Sequence, residues 1–324
     1  MTVGYLDGVR SQPENLRRSA ETVRAALSGP AGAAVTARAG AGLLAFGMGA
    51  SAHAAAGFAA VLRERGVPAL SASAADLTPP AGFGTAYLGI SQSGRSTETV
   101  AALTAVTGHR LALTNDPGGP LGRAADTVLP LGCGEDSAVS TLSYTATVQA
   151  LGLIADHLAG PASPGWERLP DLAADVLARD ATPLADALDG VDCVDVVGAG
   201  VHVATAGAAA LLLREAAHLP AAAFSTREYL HGPLETAGPG RAVLLFGSDR
   251  LAADLHRYGA RVALVTSSSA APPGPVVLRP PTMDGLAGGA LAIMPVQLAA
   301  HALAERAGRP IELRYMPADT KLPA

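Results

Sequence analysis

The chain has 324 residues, 49% of them hydrophobic and 16% charged, with 37 glycines and 24 prolines spread along its length; the length fits two ordinary domains and the composition excludes disorder. A net charge of −5, with no basic run longer than the pair Arg17 and Arg18, excludes the electrostatic footprint of a nucleic-acid or anionic-membrane binder. Cys133 and Cys193 lack metal-ligand or redox-motif spacing, and MTVGYLDGVR has no apolar signal stretch, so a cytoplasmic protein with free thiols is expected.

In chain order, residues 11–28 place Leu16, Ala20, Val23 and Leu27 at helical spacing, which predicts an N-terminal helix. GLLAFGMGASAHAAAGFAAVLRERG then reads as a strand, a Gly/Ser turn at residues 47–51 and an alanine-rich helix. AYLGISQSGRSTETVAALTAV repeats the unit, and RLALTN supplies a further strand. A proline-punctuated stretch without strand character follows at about residues 160–189, after which VDCVDVVGAGVHVATAGAAALLLREAAH restarts the pattern, with strands at AVLLFG and RVALVTS. The apolar stretch 286–304 carries Pro295, Gln297 and His301 in its middle, which suits a buried helix better than a membrane span.

Strands alternating with helices imply an α/β fold with parallel, helix-flanked sheets. GMGASAHAAAGFAAVL aligns on GAGVHVATAGAAALLL, so two tandem copies of one three-layer, flavodoxin-like module are expected, with ligands at the carboxyl ends of the strands. The expected division is an N-terminal helix at 1–35, a first module at 36–160, a helical linker at 161–190, a second module at 191–310 and a tail at 311–324.

Two features carry chemistry. The turn SQSGRST places Ser91, Gln92, Ser93, Ser96 and Thr97 between a strand and a helix start, where open N–H groups and hydroxyls form a cradle for a phosphate. The plainer alternative is that these hydroxyls only cap the helix. Of the 23 basic residues, Lys321 is the only lysine. Lysine alone can lose its proton and form a Schiff base, so this residue stands out from the arginines.

ISQSGRSTET resembles the signature of the sugar-isomerase (SIS) family, which includes phosphosugar isomerases and the isomerase half of glucosamine-6-phosphate synthase. GMGAS, EDSAVSTLSYT, GAGVHVATAGAAALLLRE and EYLHGPLE resemble further family motifs, in family order. The resemblance implies that Ser51, Ser91, Gln92, Ser93 and Ser96 contact a sugar phosphate, with Ser140 and Thr141 near the sugar. It implies that Glu215 moves a proton between C1 and C2 and that His231 opens the ring. In the family that histidine comes from the neighbouring subunit, so a homodimer with a shared active site is implied. IELRYMPADTK resembles the family's closing motif, with Arg314 near its arginine and Lys321 near its Schiff-base lysine once two extra residues are allowed, and the tail is expected over the active site.

The residue types suit these roles. A carboxylate that shuttles a proton beside a carbonyl works best with its pKa lifted by partial burial, and Glu215 lies in the apolar run LLLREAAHL. A structural carboxylate paired with a neighbour is the plainer reading. His231 titrates near neutrality and suits a ring-opening acid. His53, His202 and His218 show no partner spacing.

Leu212 and Leu142 stand where the synthase has lysines, and no glutaminase segment precedes the first module, so the synthase's own reaction is not expected. The expected activity is that of a phosphosugar isomerase-type enzyme, a deaminating isomerase on an amino-sugar 6-phosphate or a deglycase on a 6-phosphofructosamine. Simple aldose–ketose isomerisation is the close variant, and a non-catalytic sugar-phosphate sensor is the alternative from another class. The expected partner is the phosphorylated sugar, with no cofactor, metal, nucleic acid or membrane.

Overall fold

Apolar runs bounded by glycine become strands, and alanine-rich stretches become helices, in the computed structural model, which describes residues 3–77, 86–161, 165–247, 249–315 and 317–323. Helices α1 (Tyr5–Arg10), α2 (Gln12–Leu27) and α3 (Pro30–Ala39) come first. They lead into β1 (Leu43–Gly47), α4 (Ala50–Glu64), β2 (Ala69–Ser73), β3 (Ala86–Ile90) and α5 (Thr97–Ala105). Next are β4 (His109–Thr114), α6 (Pro120–Ala124), β5 (Thr127–Pro130) and α7 (Leu142–Ala159). Helices α8 (Leu169–Leu177) and α9 (Thr182–Leu188) precede β6 (Cys193–Gly198), α10 (His202–Ala216), β7 (Ala221–Ser225) and α11 (Thr226–Tyr229). The remaining elements are β8 (Arg241–Phe246), α12 (Asp249–Arg257), β9 (Arg261–Val265), β10 (Val276–Leu278) and α13 (Gly285–Arg306).

The helix predicted at residues 11–28 is α2, but α1 and α3 accompany it. Pro30 at the first turn of α3, after the extended Gly29, starts a new helix that runs past the expected end at residue 35. Residues 162–164 of the expected linker lie outside the described residues.

The chain divides into two units. The first comprises Pro13–Glu135, Leu142–Pro170 and Arg314–Ala324, and the second comprises Met1–Gln12, Asp136–Thr141 and Asp171–Leu313. Each contains a five-stranded sheet whose pairs are all parallel, in the order β2-β1-β3-β4-β5 in the first and β10-β9-β8-β6-β7 in the second. Read from β7, the second sheet has the order of the first. This is the doubly wound order, in which a crevice opens at the carboxyl ends of the strands where the winding reverses, between β1 and β3 and between β6 and β8.

Burial follows from the strand composition. All of β1 and β3 is withdrawn from solvent, as parallel strands covered by helices require. In the first unit Phe46 and Tyr87 pack with Leu103 and Leu121. In the second, Val197, Val243 and Leu245 pack with Leu255 and Leu264. Each such side chain, fully buried, contributes about 1.5–3 kcal/mol. Helix α13 is long and apolar enough to cross a membrane, yet 83% of its apolar window is buried, against α1, α9 and α10 in its own unit.

Candidate functional site

In the first unit, the ends of β1 and β3 converge on the predicted cradle. A Cβ on Gly47 would lie 2.8 Å from both the Ile90 carbonyl oxygen and the Ser51 Cβ, so only glycine lets the start of α4 approach the end of β3 this closely. Ser51 is thereby held beside the strand end that delivers Ser91. The turn itself is fixed by its backbone: Ser91 N–H donates to the Leu113 carbonyl at 3.1 Å, and Asn115 N–H donates to the Gln92 carbonyl at 3.0 Å. Gly94 closes the turn at φ +67°, and a Cβ there would sit 2.8 Å from Thr114 Oγ1.

The hydroxyls are not consumed as helix caps. Ser96 precedes α5, but its side chain caps no backbone N–H. Its Oγ instead accepts from Thr99 Oγ1 at 3.1 Å and donates to Glu98 at 3.5 Å. The Ser96 hydroxyl therefore takes up none of the N–H groups at the start of α5. Ser91 is buried, while Gln92, Ser93 and Ser96 are half-buried. Arg95, which the sequence alone did not single out, sends Nη2 to Asp116 at 3.2 Å and leaves Nη1 buried without a hydrogen-bond partner among the described residues.

The C-terminal segment lies against this same turn. Lys321 forms an antiparallel bridge with Ser96, Leu322 N–H donates to the Arg95 carbonyl at 2.8 Å, and Thr97 Oγ1 donates to the Asp319 carbonyl at 2.7 Å. The structure thus brings Lys321 and the serine turn together through backbone contacts, with Lys321 exposed. Arg314 is exposed as well.

In the second unit, Glu215 occupies the last turn of α10, half-buried, with no hydrogen-bond or ion-pair partner among the described residues. Burial pushes its carboxyl up to about 7. A helix C-terminus disfavours a negative charge and acts in the same direction. Tyr5, on α1, is raised too, by burial first and then by the charges of Asp136 and Glu215. The Tyr5 hydroxyl donates to the Gln297 carbonyl at 3.0 Å, and the Gln297 amide donates to the Thr141 carbonyl at 3.3 Å.

Thr141 is fully buried, and its hydroxyl is committed to Asp136 Oδ1 at 2.6 Å while its N–H donates to Oδ2 at 2.9 Å. Asp136 also accepts from Ser137 N–H at 2.8 Å. Thr141 therefore shapes the loop that presents the half-buried Ser140. Asp136, absent from the sequence prediction, is the anchor of that loop. His231 is exposed on the turn after α11, its N–H donating to the Glu228 carbonyl at 3.0 Å. Ser225 and Glu228 form a reciprocal capping box that fixes the start of this short helix.

Comparison with known proteins agrees with the motifs. The SIS domain family matches residues 42–155. Among curated proteins, the glutamine–fructose-6-phosphate aminotransferase (isomerizing) of Symbiobacterium thermophilum is 31% identical over 256 residues, covering 70% of this chain and 42% of the relative. The chain spans less than half the length of that relative. Among solved structures, the C-terminal domain of glucosamine-fructose-6-phosphate aminotransferase from Francisella tularensis superposes with a TM-score of 0.81 at 17% identity, covering 95% of this chain and 97% of that one. Glucosamine-6-phosphate deaminase from Thermotoga maritima superposes with a TM-score of 0.79 at 19% identity, covering 95% and 96%. These two likenesses concern the fold. Residues 42–155 are a SIS domain.

Proposed function

We propose that the chain is a phosphosugar isomerase-type enzyme acting on an amino-sugar 6-phosphate or a 6-phosphofructosamine, as a deaminating isomerase or a deglycase. The turn at residues 91–96, with Ser51, would take the phosphate through hydroxyl and N–H donors. Glu215 would carry the proton. The observation that supports this most is a carboxyl pushed up to about 7 by burial, with no partner to explain it as part of a structural ion pair among the described residues. A general base of this kind works best with a pKa near the operating pH.

For an amino-sugar 6-phosphate the chemistry balances without a redox partner. His231, reaching from a second copy of the chain, protonates the ring oxygen as the ring opens. Glu215 then takes the C2 proton of the open-chain aldehyde and returns it to C1, leaving an imine at C2. Water adds to that carbon and ammonia leaves. Lys321 can replace water as the first nucleophile, forming an imine that water later cleaves. Leu142 and Leu212 stand where the synthase has lysines, which fits release of an amine better than the synthase reaction. A sugar-phosphate sensor would have no use for the proton-carrying Glu215.

The test is a panel of sugar 6-phosphates, with and without amino or fructosamine nitrogen, assayed for ammonia, amino acid and ketose release. Nitrogen release from any member, lost in Glu215→Gln, supports the reading. Ketose formation from unsubstituted aldose phosphates alone would move the assignment to simple isomerisation, and binding without turnover of any member would make the chain a sensor.

A further inference from the structure

The second unit holds a cavity of about 310 Å³ that none of the residues placed in the proposed reaction lines. It lies where the doubly wound order opens a crevice, at the carboxyl ends of β6, β8 and β9. His202 opens α10 after β6, Asp249 opens α12 after β8, and Thr266, Ser267 and Ser268 follow β9 directly. In strand order this is the position that the serine turn holds in the first unit. The chemistry differs: the turn after β3 offers hydroxyls and N–H donors, whereas the turn after β8 offers a carboxylate.

Several polar groups in the lining are unspent. His202 Nδ1 and Asp249 Oδ1 are withdrawn from bulk water and have no hydrogen-bond partner among the described residues. Such groups are ordinarily satisfied in native proteins, so an orphaned pair at one cavity points to a missing ligand. The His202 ring is held by stacking on Phe246, with centroids 5.9 Å apart and planes at 12°. Burial lowers its basicity, so it brings a neutral ring rather than a cation to the cavity. Thr266 Oγ1 accepts from Ser268 N–H at 3.1 Å and keeps its own hydrogen to donate. Thr282 and Ser267 line the cavity with hydroxyls that hydrogen-bond to none of the described residues.

We propose that this cavity is a second ligand site, for a small polyhydroxylated molecule that carries no phosphate. An acceptor carboxylate, a neutral imidazole and several hydroxyls match a ligand rich in O–H or N–H donors, and the carboxylate repels an anion. The volume is at the small end of ligand pockets, which run from about 300 to 1,000 Å³, and so admits a molecule the size of one sugar ring. The site is independent of the proposed reaction, because its residues belong to none of the steps above.

The experiment is titration of the full chain with glucosamine, glucose and glucose 6-phosphate, followed by calorimetry and by ligand-observed NMR, in the presence of saturating inorganic phosphate to fill the serine turn. Expected is binding in the order glucosamine, then glucose, with glucose 6-phosphate bound no more tightly than glucose. Asp249→Asn should weaken glucosamine about tenfold, Ser267→Ala should weaken both sugars several-fold, and Ser93→Ala should leave both unchanged. No binding of either unphosphorylated sugar, binding abolished by phosphate, or binding unaffected by both Asp249→Asn and Ser267→Ala overturns the proposal.

Discussion

A carboxyl pushed up to about 7 at the end of α10 is poised to exchange protons at neutral pH, and its behaviour is open to measurement in two ways. As a base Glu215 must be ionised, so kcat/KM is expected to rise as pH passes about 7 and then level off, and Glu215→Gln is expected to lower kcat by about 10²–10⁴. Stability runs the opposite way. The folded protein prefers the protonated carboxyl, so that contribution is complete below the ordinary carboxyl value of 4.5 and is lost as pH rises through about 7. Denaturant midpoints should therefore show Glu215→Gln gaining on the wild type across that window, by about 1–3 kcal/mol once solvent exposure is allowed for. Glu215 and the serines were legible in the sequence because each belongs to a local motif with fixed spacing. Asp136 and Tyr5 were not, because their roles arise from contacts distant in sequence, such as that between Tyr5 and Gln297. Asp136→Ala leaves the buried Thr141 hydroxyl without its acceptor, which should cost about 1–3 kcal/mol in chemical denaturation, with Asp136→Asn recovering part.

At the level of elements, the strand–turn–helix at β3 and α5 was legible because an apolar run meets a dense cluster of Ser, Gly and Thr. The edge strands were harder. Strands β2 and β7 read ALSAS and AAAFS, too small and too unpatterned to mark a strand, and β10 has only three residues. They form because neighbouring strands offer unpaired backbone groups, a tertiary effect that propensity does not carry. Gly94→Ala forces a Cβ into a left-handed turn and against Thr114, so a stability loss of about 1–2 kcal/mol is expected, with weaker phosphate binding by titration. The C-terminal segment is held to the cradle turn by the Leu322 and Thr97 hydrogen bonds, both involving main-chain atoms of the tail. Deleting residues 318–324 should therefore raise KM for a phosphorylated substrate. Lys321→Arg keeps the backbone bridge and the charge, so a loss of kcat in that variant alone isolates the chemistry of the amine.

At the scale of the whole molecule, two sheets of identical strand order in one chain were foreseeable from the recurrence of GMGAS and GAGVH, since each Gly-rich turn follows a short apolar strand and opens a helix. How the chain divides was less so. The segment Asp136–Thr141 belongs to the unit that contains Glu215, although the residues on either side of it belong to the other. If the active enzyme is a homodimer with His231 supplied by the neighbour, mixing inactive Glu215→Gln and His231→Ala chains should restore about a quarter of wild-type activity, as isologous symmetry requires. The central claim is proton transfer by Glu215 on a sugar phosphate. Incubating the protein with the amino-sugar and fructosamine 6-phosphates in heavy water, and following C1 and C2 by NMR, measures it directly. The account predicts conversion or deuterium exchange at these carbons with the wild type above pH 7, and neither with Glu215→Gln, although phosphate binding persists. Exchange or conversion that proceeds equally in Glu215→Gln, or none with any substrate in the wild type while phosphate still binds, would contradict it.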